Sequence, residues 1–409
     1  MDAMFPHCAG LDIHKDSVVA CVRHAGHNPM EQVRTFGTTT EQLLALGDWL
    51  TAEGVTHAAM ESTGVYWKPV WNLLEGRVQL LLANAQHMRN VPGRKTDVAD
   101  CQWIAQLMQH GLLKASFVPP APQRQLRDLT RQRSQLVADR ARVANRVQKV
   151  LEDANIKLAS VASDVLGKSG RDMLDALIAG QSDPAVLADL ARLRLRAKIP
   201  QLRAALNGKI GDHHRFMLKQ LLRQVDDLEK QMRAYDRQIA KVMSPLEKKA
   251  IERLDEVPGI DVHAAQVILA EIGTDMSRFA SDAHLASWAG LCPGNHQSAG
   301  KRHSGKTNNG NRWLRAMLCQ CAWAAGRTKG TYYSAQYRRL AARRGRKRAI
   351  LAVAHSQLVA IYHLLEGQSY KELGANWFDK LAPERLKNNL VSRLQRMGYD
   401  VTLQEKPAA

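Results

Sequence analysis

Apolar positions in the first 115 residues follow two different periods. Five short runs, at residues 10–14, 17–22, 31–36, 57–62 and 78–83, have the length and pattern of strands. Helical spacing predicts helices over residues 40–53, 65–75 and 97–113, with Thr40 as the N-cap of the first. The predicted order is three strands, followed by helix, strand, helix, strand and helix.

That order is typical of a mixed sheet with helices on its faces, as in the ribonuclease H-like fold. Three prolines close together, Pro119, Pro120 and Pro122, mark the end of this α/β region. We therefore expect a first domain over residues 1–118.

Beyond the prolines, apolar positions advance by alternating steps of three and four in two long segments. Such spacing is typical of a coiled-coil seam. The segment between them, residues 152–213, is less regular but also predicts helix. We expect a helical hairpin, an oligomerisation arm, or both, over residues 119–250. The seam positions are Leu126, Leu129, Arg133, Leu136, Arg140, Val143, Val147 and Val150, then Leu218, Leu221, Val225, Leu228, Met232, Tyr235, Ile239 and Val242.

A third, mostly helical domain is predicted over residues 251–366, followed by a C-terminal tail, residues 367–409, of mixed charge. Residues 254–260, which contain Pro258 and Gly259, resemble the turn of a helix-hairpin-helix motif. In that motif the turn brings backbone N–H groups to a phosphate. An ordinary helical turn explains the same residues equally well. The expected fold class is thus α/β followed by α.

Charge divides the 409-residue chain unequally. The net charge is +19. Hydrophobic residues make up 45% of the chain, which is enough to bury hydrophobic cores and excludes a chain that is disordered throughout. Residues 1–115 carry 9 basic and 11 acidic residues, so the excess positive charge lies beyond them. Residues 283–365 hold 14 basic residues and no acid. An unmixed basic stretch predicts contact with a polyanion, nucleic acid in the first place.

Neither a membrane nor an oxidising compartment is expected. The longest apolar run, residues 351–365, falls short of the roughly 18 residues needed to span a bilayer. No secretory signal is visible at the N-terminus. The six cysteines are scattered without a CxxC pair, which argues against a zinc site and a disulfide framework. We expect reduced thiols and a cytoplasmic, nucleoid-associated protein.

Four acids of the first domain stand where phosphoryl-transfer chemistry would place them. Asp12 lies in the first predicted strand, Glu61 ends the fourth, and Asp97 and Asp100 share one helix face at i, i+3. Oxygen ligands of this kind can surround one or two Mg²⁺ ions. Any one of them alone is better explained as a capping or surface residue. Nearby Arg94 and Lys95 fit either a phosphate contact or a plain loop charge.

A glycine-rich, basic loop over residues 290–315 contains Ser298. It predicts a segment that wraps a phosphate backbone and then enters a helix starting near Asn311. No base lies beside Ser298 in sequence. From the residues alone, local hydrogen bonding explains this serine better than a nucleophilic role.

Five short motifs occur together in one order. They are Gly10-Leu-Asp-Ile-His-Lys15, Glu61-Ser-Thr-Gly64, the acid-containing run 94–100, the turn 257–260 and the serine loop from Gly290 to Arg312. The combination resembles the DEDD transposases of the IS110 and IS1111 insertion sequences, recombinases guided by a bridge RNA. The resemblance covers about 115 residues at one end of the chain and about 120 at the other.

The resemblance implies a RuvC-like domain in which Asp12, Glu61, Asp97 and Asp100 match the four Mg²⁺-binding acids. It also implies that Ser298 matches a serine that attacks DNA and forms a phosphoserine link, while a neighbouring subunit supplies the metal site. Gln297 departs from the second serine that relatives often have there, and Ser304 is a nearby competitor. The implied partners are donor DNA, target DNA, a guide RNA and further copies of the chain in a dimer or tetramer.

Basic residues near the serine are expected to hold DNA, and a second cluster is expected to bind RNA or DNA without sequence preference. For the second cluster, a solvated helix end is the alternative. Two other functions also fit the residues: a metal-only nuclease or DDE-like transposase with a structural serine, and an architectural nucleic-acid binder with incidental acids. The first set is Lys301, Arg302, Lys306, Arg312 and Arg315; the second is Arg343, Arg344, Arg346, Lys347 and Arg348.

Overall fold

A computed structural model describes residues 3–26, 29–62, 64–83, 97–294, 296–298 and 300–404, apart from the side chains of residues 97–98, 296–298 and 302–304. The chain divides into two compact units, Met1–Pro119 and Pro120–Ala409. The boundary lies among the three prolines that the sequence marks. Each unit is described by itself.

The first unit is a mixed five-stranded sheet with helices. Its described strands are β1 (His7–Ile13), β2 (Ser17–His24), β3 (Met30–Gly37), β4 (His57–Glu61) and β5 (Gln79–Ala83), in the order β3-β2-β1-β4-β5. The first three strands are antiparallel, and β4 and β5 continue from β1 in parallel. The predicted α/β layout of this region is confirmed.

The two faces of the sheet carry different helices. Alternate residues of β1, such as Leu11, enter a core formed with α1 (Thr40–Ala52) and α2 (Trp67–Leu74). The opposite face is covered by α3 (Asp97–Gln109). Helix α1 begins at Thr40, so the N-cap is Thr39 and the expected cap at Thr40 was wrong. Helix α3 ends four residues before the predicted Leu113, because Gly111 adopts φ +67°, a left-handed conformation that ends a helix.

The second unit begins with two long helices, α4 (Ala121–Asp153) and, later in the chain, α9 (Asp212–Val242). Arg133 pairs with Asp236, and Arg140 pairs with Glu229. The residue numbers rise along one helix as they fall along the other, so the two helices pack antiparallel. The two long helices thus form a hairpin, and Arg133 and Arg140 are matched by acids across it.

Short helices cover the far end of this hairpin, where the sequence predicted a helical segment. They share one apolar core with the hairpin, in which Leu174, Leu187 and Leu202 pack with Val147 and Leu218. We call the hairpin and this cap the arm. The cap consists of α5 (Leu158–Val161), α6 (Lys168–Ile178), α7 (Pro184–Asp189), a 3-10 turn (Leu193–Lys198) and α8 (Ile199–Leu206).

A second apolar core follows the arm and includes its base, since Leu126, Ile239 and Met243 are buried in it. One of its helices, α15, has the length and hydropathy of a membrane span, alone among the described helices, but half of that window is buried in this core. The helices are α10 (Pro245–Asp255), α11 (Val262–Ile272), α12 (Asp282–Trp288), α13 (Arg312–Arg327), α14 (Tyr332–Arg344) and α15 (Arg346–Leu365); a 3-10 turn (Met276–Arg278) precedes α12, and α16 (Trp377–Lys380) and α17 (Pro383–Arg396) follow.

The turn between α10 and α11 is where a phosphate-binding hairpin was an open possibility. Gly259 has φ +87°, and a Cβ added there would lie 2.4 Å from the carbonyl oxygen of Cys321 in α13. The Gln357 side chain donates to Pro258 O at 2.9 Å. The glycine is therefore needed for close packing inside the unit.

Candidate active site

Two of the candidate acids lie side by side at the carboxyl ends of neighbouring parallel strands. Leu11 of β1 pairs with Met60 of β4, and Asp12 and Glu61 are the next residue on each strand. Paired residues in a sheet point to the same face, and alternation puts Asp12 on the face opposite Leu11. Asp12 is only 8% exposed, and Glu61 is half-buried.

Helix α3 brings a third acid toward the same edge. Its residues Ile104 and Met108 pack against Cys8 and Ala59, and its last residue, Gln109, accepts from Met4 N and Phe5 N just before β1. The helix runs antiparallel to β1, so its first turns lie over the carboxyl ends. Asp100, half-buried and one turn before Ile104, therefore approaches the edge that carries Asp12 and Glu61.

The close approach of α3 depends on Gly10 in the Gly10-Leu-Asp motif. A Cβ built at Gly10 would lie 2.3 Å from the carbonyl oxygen of Cys101 and 2.4 Å from the backbone nitrogen of Ala105. No side chain fits there. The glycine two residues before Asp12 thus sets the distance between the sheet and the helix that carries Asp97 and Asp100.

A histidine and a buried pair of thiols lie near Asp12. His14 Nε2 lies 3.0 Å from Asp12 Oδ2, within hydrogen-bond distance. Beneath the acids, the thiols of Cys21 and Cys101 are buried together with Val19. The hydrogen bond between the two thiols lowers the pKa of Cys101 and raises that of Cys21. All six cysteines are free.

Carboxylate oxygens are the ligands that Mg²⁺ prefers, so the acids suit this cation by donor chemistry. Within the part of the chain that the structure describes, no three His, Cys, Asp or Glu groups are close enough to hold a metal ion. Asp97 is the first residue of α3, but its side chain is outside that part, as are Arg94 and Lys95. The strand register places Asp12 and Glu61 side by side, and Asp100 lies on the helix over the same edge.

The serine loop lies in the second unit and is closed at its neck by glycines. Gly290 and Gly310 meet so closely that a Cβ at Gly310 would lie 2.2 Å from the backbone nitrogen of Gly290. One step further, the Gly294 N–H donates to Lys306 O at 3.0 Å. The two sides of the loop therefore run together from the neck outward.

The loop continues into a small hairpin of β6 (His296–Ser298) and β7 (Lys301–Ser304), which we call the serine hairpin. Ser298 pairs with Lys301 across the turn, whereas Ser304 pairs with His296. The backbone register thus puts Ser298 at the end of the hairpin beside the turn and Ser304 toward the neck. This distinction separates the two serines that the sequence left as competitors.

The far side of the loop is tied to a buried carboxylate that the sequence reasoning missed. Asn311 Nδ2 donates to Glu271 Oε2 at 2.6 Å, and the Glu271 side chain is completely buried. Arg131 of α4 grips the same carboxylate with two bonds of 2.7 Å. The available signal was a single acid within the apolar sequence of α11, Val262–Ile272.

Among the basic residues expected to bind nucleic acid, two groups can be distinguished. Lys301 and Lys306 of the loop and Arg312 at the start of α13 are exposed, Arg315 is half-buried, and the Arg302 side chain is outside the described part. The second group surrounds Gly345, where α14 meets α15, and all five of its side chains are exposed with no ion pair to another described residue. We call this group, Arg343, Arg344, Arg346, Lys347 and Arg348, the basic elbow.

Helix α4 is less available for nucleic acid than its charge indicates. Eight basic residues lie between Arg124 and Val150, but five of them pair with acids of the same unit. Arg127 and Arg131 pair with Glu271, and burial lowers the pKa of Arg127 to about 10. The other three pairs join Arg133 to Asp236, Arg140 to Glu229 and Arg142 to Asp139.

Comparison with known proteins agrees at both ends of the chain. A DEDD transposase model of the IS110 type matches residues 9–156, which include the four acids. A model for the transposase IS116/IS110/IS902 family matches residues 251–338, which include Ser298. Both models describe transposases, so this class of enzyme is represented in both units.

Similar proteins come from several insertion sequences. The transposase for insertion sequence element IS1111A of Coxiella burnetii is 24% identical over 302 residues, 72% of this chain and 73% of that protein. The uncharacterized 42 kDa protein of insertion element IS900 from Mycobacterium paratuberculosis is 29% identical over 324 residues, 70% and 79% of the two chains. The chain belongs to the IS110/IS1111 family of insertion-sequence transposases.

Proposed function

We propose that this transposase is guided by RNA and cuts DNA through a covalent phosphoserine intermediate at Ser298. The observation that carries the proposal is the serine hairpin, which holds Ser298 beside an exposed turn within an acid-free, basic stretch. A nucleophile that must reach a phosphate in duplex DNA needs such a projecting position. Ser304, three residues beyond Lys301 and therefore nearer the neck, lacks it.

In the proposed step, a bond forms between Ser298 Oγ and the phosphorus while one P–O bond to a deoxyribose oxygen breaks. The serine proton leaves to water, and the departing oxygen takes up a proton to become a free hydroxyl. Attack by another hydroxyl on the phosphoserine reverses the chemistry and joins new strands. Because the phosphoester bond is conserved throughout, no ATP is required.

We assign Mg²⁺ binding to Asp12, Glu61, Asp97 and Asp100. What supports this is the register of Asp12 and Glu61, the approach of Asp100 and the all-oxygen donor set. When bound, the cation would supply positive charge to the scissile phosphate. His14, 3.0 Å from Asp12, would fix the orientation of that carboxylate.

The guide RNA is assigned to basic surfaces, chiefly the basic elbow, and donor and target DNA to the surroundings of the serine loop. The elbow lies outside both matched segments, since the second ends at residue 338. We further propose that the arm associates with other copies of the chain through its coiled-coil hairpin. A dimer would then let one copy's RuvC-like, ribonuclease H-like first unit act on the DNA held by the serine loop of another.

The test is a search for a covalent protein–DNA adduct. Purified protein is incubated with Mg²⁺, donor DNA and RNA transcribed from the noncoding sequence beside the gene, then resolved under denaturing conditions. We expect an adduct that disappears in Ser298→Ala and persists in the matched control Ser304→Ala. Leaving out the RNA should abolish it as well.

Other outcomes identify the competing functions. Mg²⁺-dependent cutting that survives Ser298→Ala would assign the chemistry to the acids alone, as in a metal-only nuclease. If the wild type binds DNA without cutting it, and Asp12→Asn leaves binding unchanged, the protein is an architectural binder. An adduct formed equally well without RNA would remove the guide from the proposal.

A further inference from the structure

Glu271 is an unusual residue for its position. It lies near the end of α11, a helix whose residues from Ala264 onward are mostly buried, and its side chain is 0% exposed. Burying a carboxylate costs free energy unless charge and hydrogen bonds compensate it. An apolar side chain would meet the packing requirement of α11 at this point equally well.

The compensation comes first from the base of the arm. Arg131 donates from two nitrogens to the two carboxylate oxygens, each at 2.7 Å. Arg127, one turn earlier on α4, places its Nε 3.4 Å from Glu271 Oε2 and also donates to the backbone oxygens of Ala270 and Glu271. These contacts fix α4 against the end of α11.

The remaining partner belongs to the serine loop. Asn311 directly follows Gly310 of the neck, and its side chain is used at both ends. Its Oδ1 accepts from Trp313 N and Leu314 N at 3.0 and 3.1 Å, which caps α13. Its Nδ2 donates to Glu271 Oε2 at 2.6 Å. Asn311, which ends the loop, and Arg131 of the arm therefore bind the same carboxylate.

Capping alone does not require this arrangement. Other helices of the unit are capped by a single residue without a buried acid behind it, such as α12 by Ser281 and α14 by Thr331. Serine at Asn311 would cap α13 about as well. It would not reach Glu271. The added Glu271–Asn311 bond thus has a role beyond starting the helix.

We propose that Glu271 is a positioning residue for the serine hairpin. Its carboxylate joins helix α4 of the arm to the neck of the serine loop through Asn311. The inference rests on the proposed function, in that Ser298 is the group being positioned. It also predicts a structural effect that does not depend on Ser298 chemistry: loss of the Glu271–Asn311 contact should open the neck, where Gly294 N donates to Lys306 O.

The test is a double-mutant cycle on the full-length protein with Asn311→Ser, Glu271→Gln and both together. We expect each single variant to form the adduct about ten-fold more slowly while binding DNA with unchanged affinity. The double variant should be no slower than the slower single variant, because both changes break one link. The matched control is Ser281→Asn, a cap exchange at α12, which should retain the wild-type rate.

A second measurement is hydrogen–deuterium exchange of residues 290–311. Asn311→Ser should raise exchange at the neck about ten-fold and leave the cap of the arm unchanged. Rate losses that multiply in the double variant, or unchanged exchange at the neck in Asn311→Ser, would overturn the proposal. If the wild type forms no Ser298-dependent adduct, the proposed function fails, and exchange alone decides the role of Glu271. If Glu271→Gln does not fold, Asn311→Ser carries the decision.

Discussion

Replacing Gly10 by alanine tests whether the sheet and α3 meet as described. The added methyl carbon would lie 2.3 Å from the carbonyl oxygen of Cys101 and 2.4 Å from the nitrogen of Ala105. Both are backbone atoms of a helix, so neither can rotate away. Restoring an ordinary contact distance requires α3 to move from β1 by about 1 Å.

The magnitude follows from two independent effects. Overpacking of this kind lowers the free energy of unfolding by about 1–3 kcal/mol. A value near 2 kcal/mol raises the population of the opened state by about 30-fold. A displacement of about 1 Å at the acids would also lower the rate of the proposed chemistry by about 100-fold.

Two buried thiols report the opening directly. Cys101 lies on α3 and is buried against Cys21 of β2, so both thiols become accessible only when the helix moves away from the sheet. Thiol labelling followed by peptide mass spectrometry should give a rate about 30-fold faster in Gly10→Ala than in wild type. The matched control is Gly37→Ala in β3, where a Cβ would meet Gln42 at 3.4 Å, an ordinary contact.

Equal labelling rates in wild type, Gly10→Ala and Gly37→Ala would refute the reasoning, because α3 could not then lie against β1. Faster labelling in Gly10→Ala with unchanged adduct formation would support the packing of α3 on β1 and contradict a role of that packing in the chemistry.

Three further predictions concern the second unit. Gly310→Ala should lower its unfolding free energy by about 1–3 kcal/mol in denaturant titrations, and more than Gly300→Ala, where the added methyl meets open space and only the positive φ costs energy. Burial and Arg133 lower the pKa of His263, so the unfolded chain binds the extra proton first; stability should fall as the pH drops below the ordinary value of 6.5, and the fall should be smaller in His263→Gln. Neutralising the basic elbow with glutamine should weaken nucleic-acid binding and reduce the salt slope by about 0.7–0.9 per lost phosphate contact; an unchanged slope in mobility-shift titrations would show that the elbow is only a solvated helix end.

The spacing of apolar residues along the sequence was sufficient to predict most of the strands and helices. The strands of the first unit, the two long helices and the helix starting beside Asn311 follow from the period of apolar residues, and the side-by-side placement of Asp12 and Glu61 follows from their being at strand ends. The end of α3 was misjudged because the conformation of one glycine, Gly111, outweighed continued helical spacing in its sequence.

The rest depended on contacts between residues far apart in sequence. Arg131 and Glu271 are separated by 140 positions, and nothing near either one indicates the other. For the same reason, the sequence does not indicate that most basic residues of α4 pair with acids of the same unit. Gly10 was recognised as part of a motif, but its steric role requires knowing which helix lies above it.

The arm leaves the C-terminal core and returns to it at nearly the same place, since Leu126 and Ile239 are buried in one cluster. Its length is therefore an independent variable. Removing seven residues from α4 together with the seven that face them on α9 would shorten the arm by about 10 Å while leaving the contacts at its base in place. The reach of the arm can thus be changed by matched deletions or insertions in α4 and α9 without changing the contacts at its base.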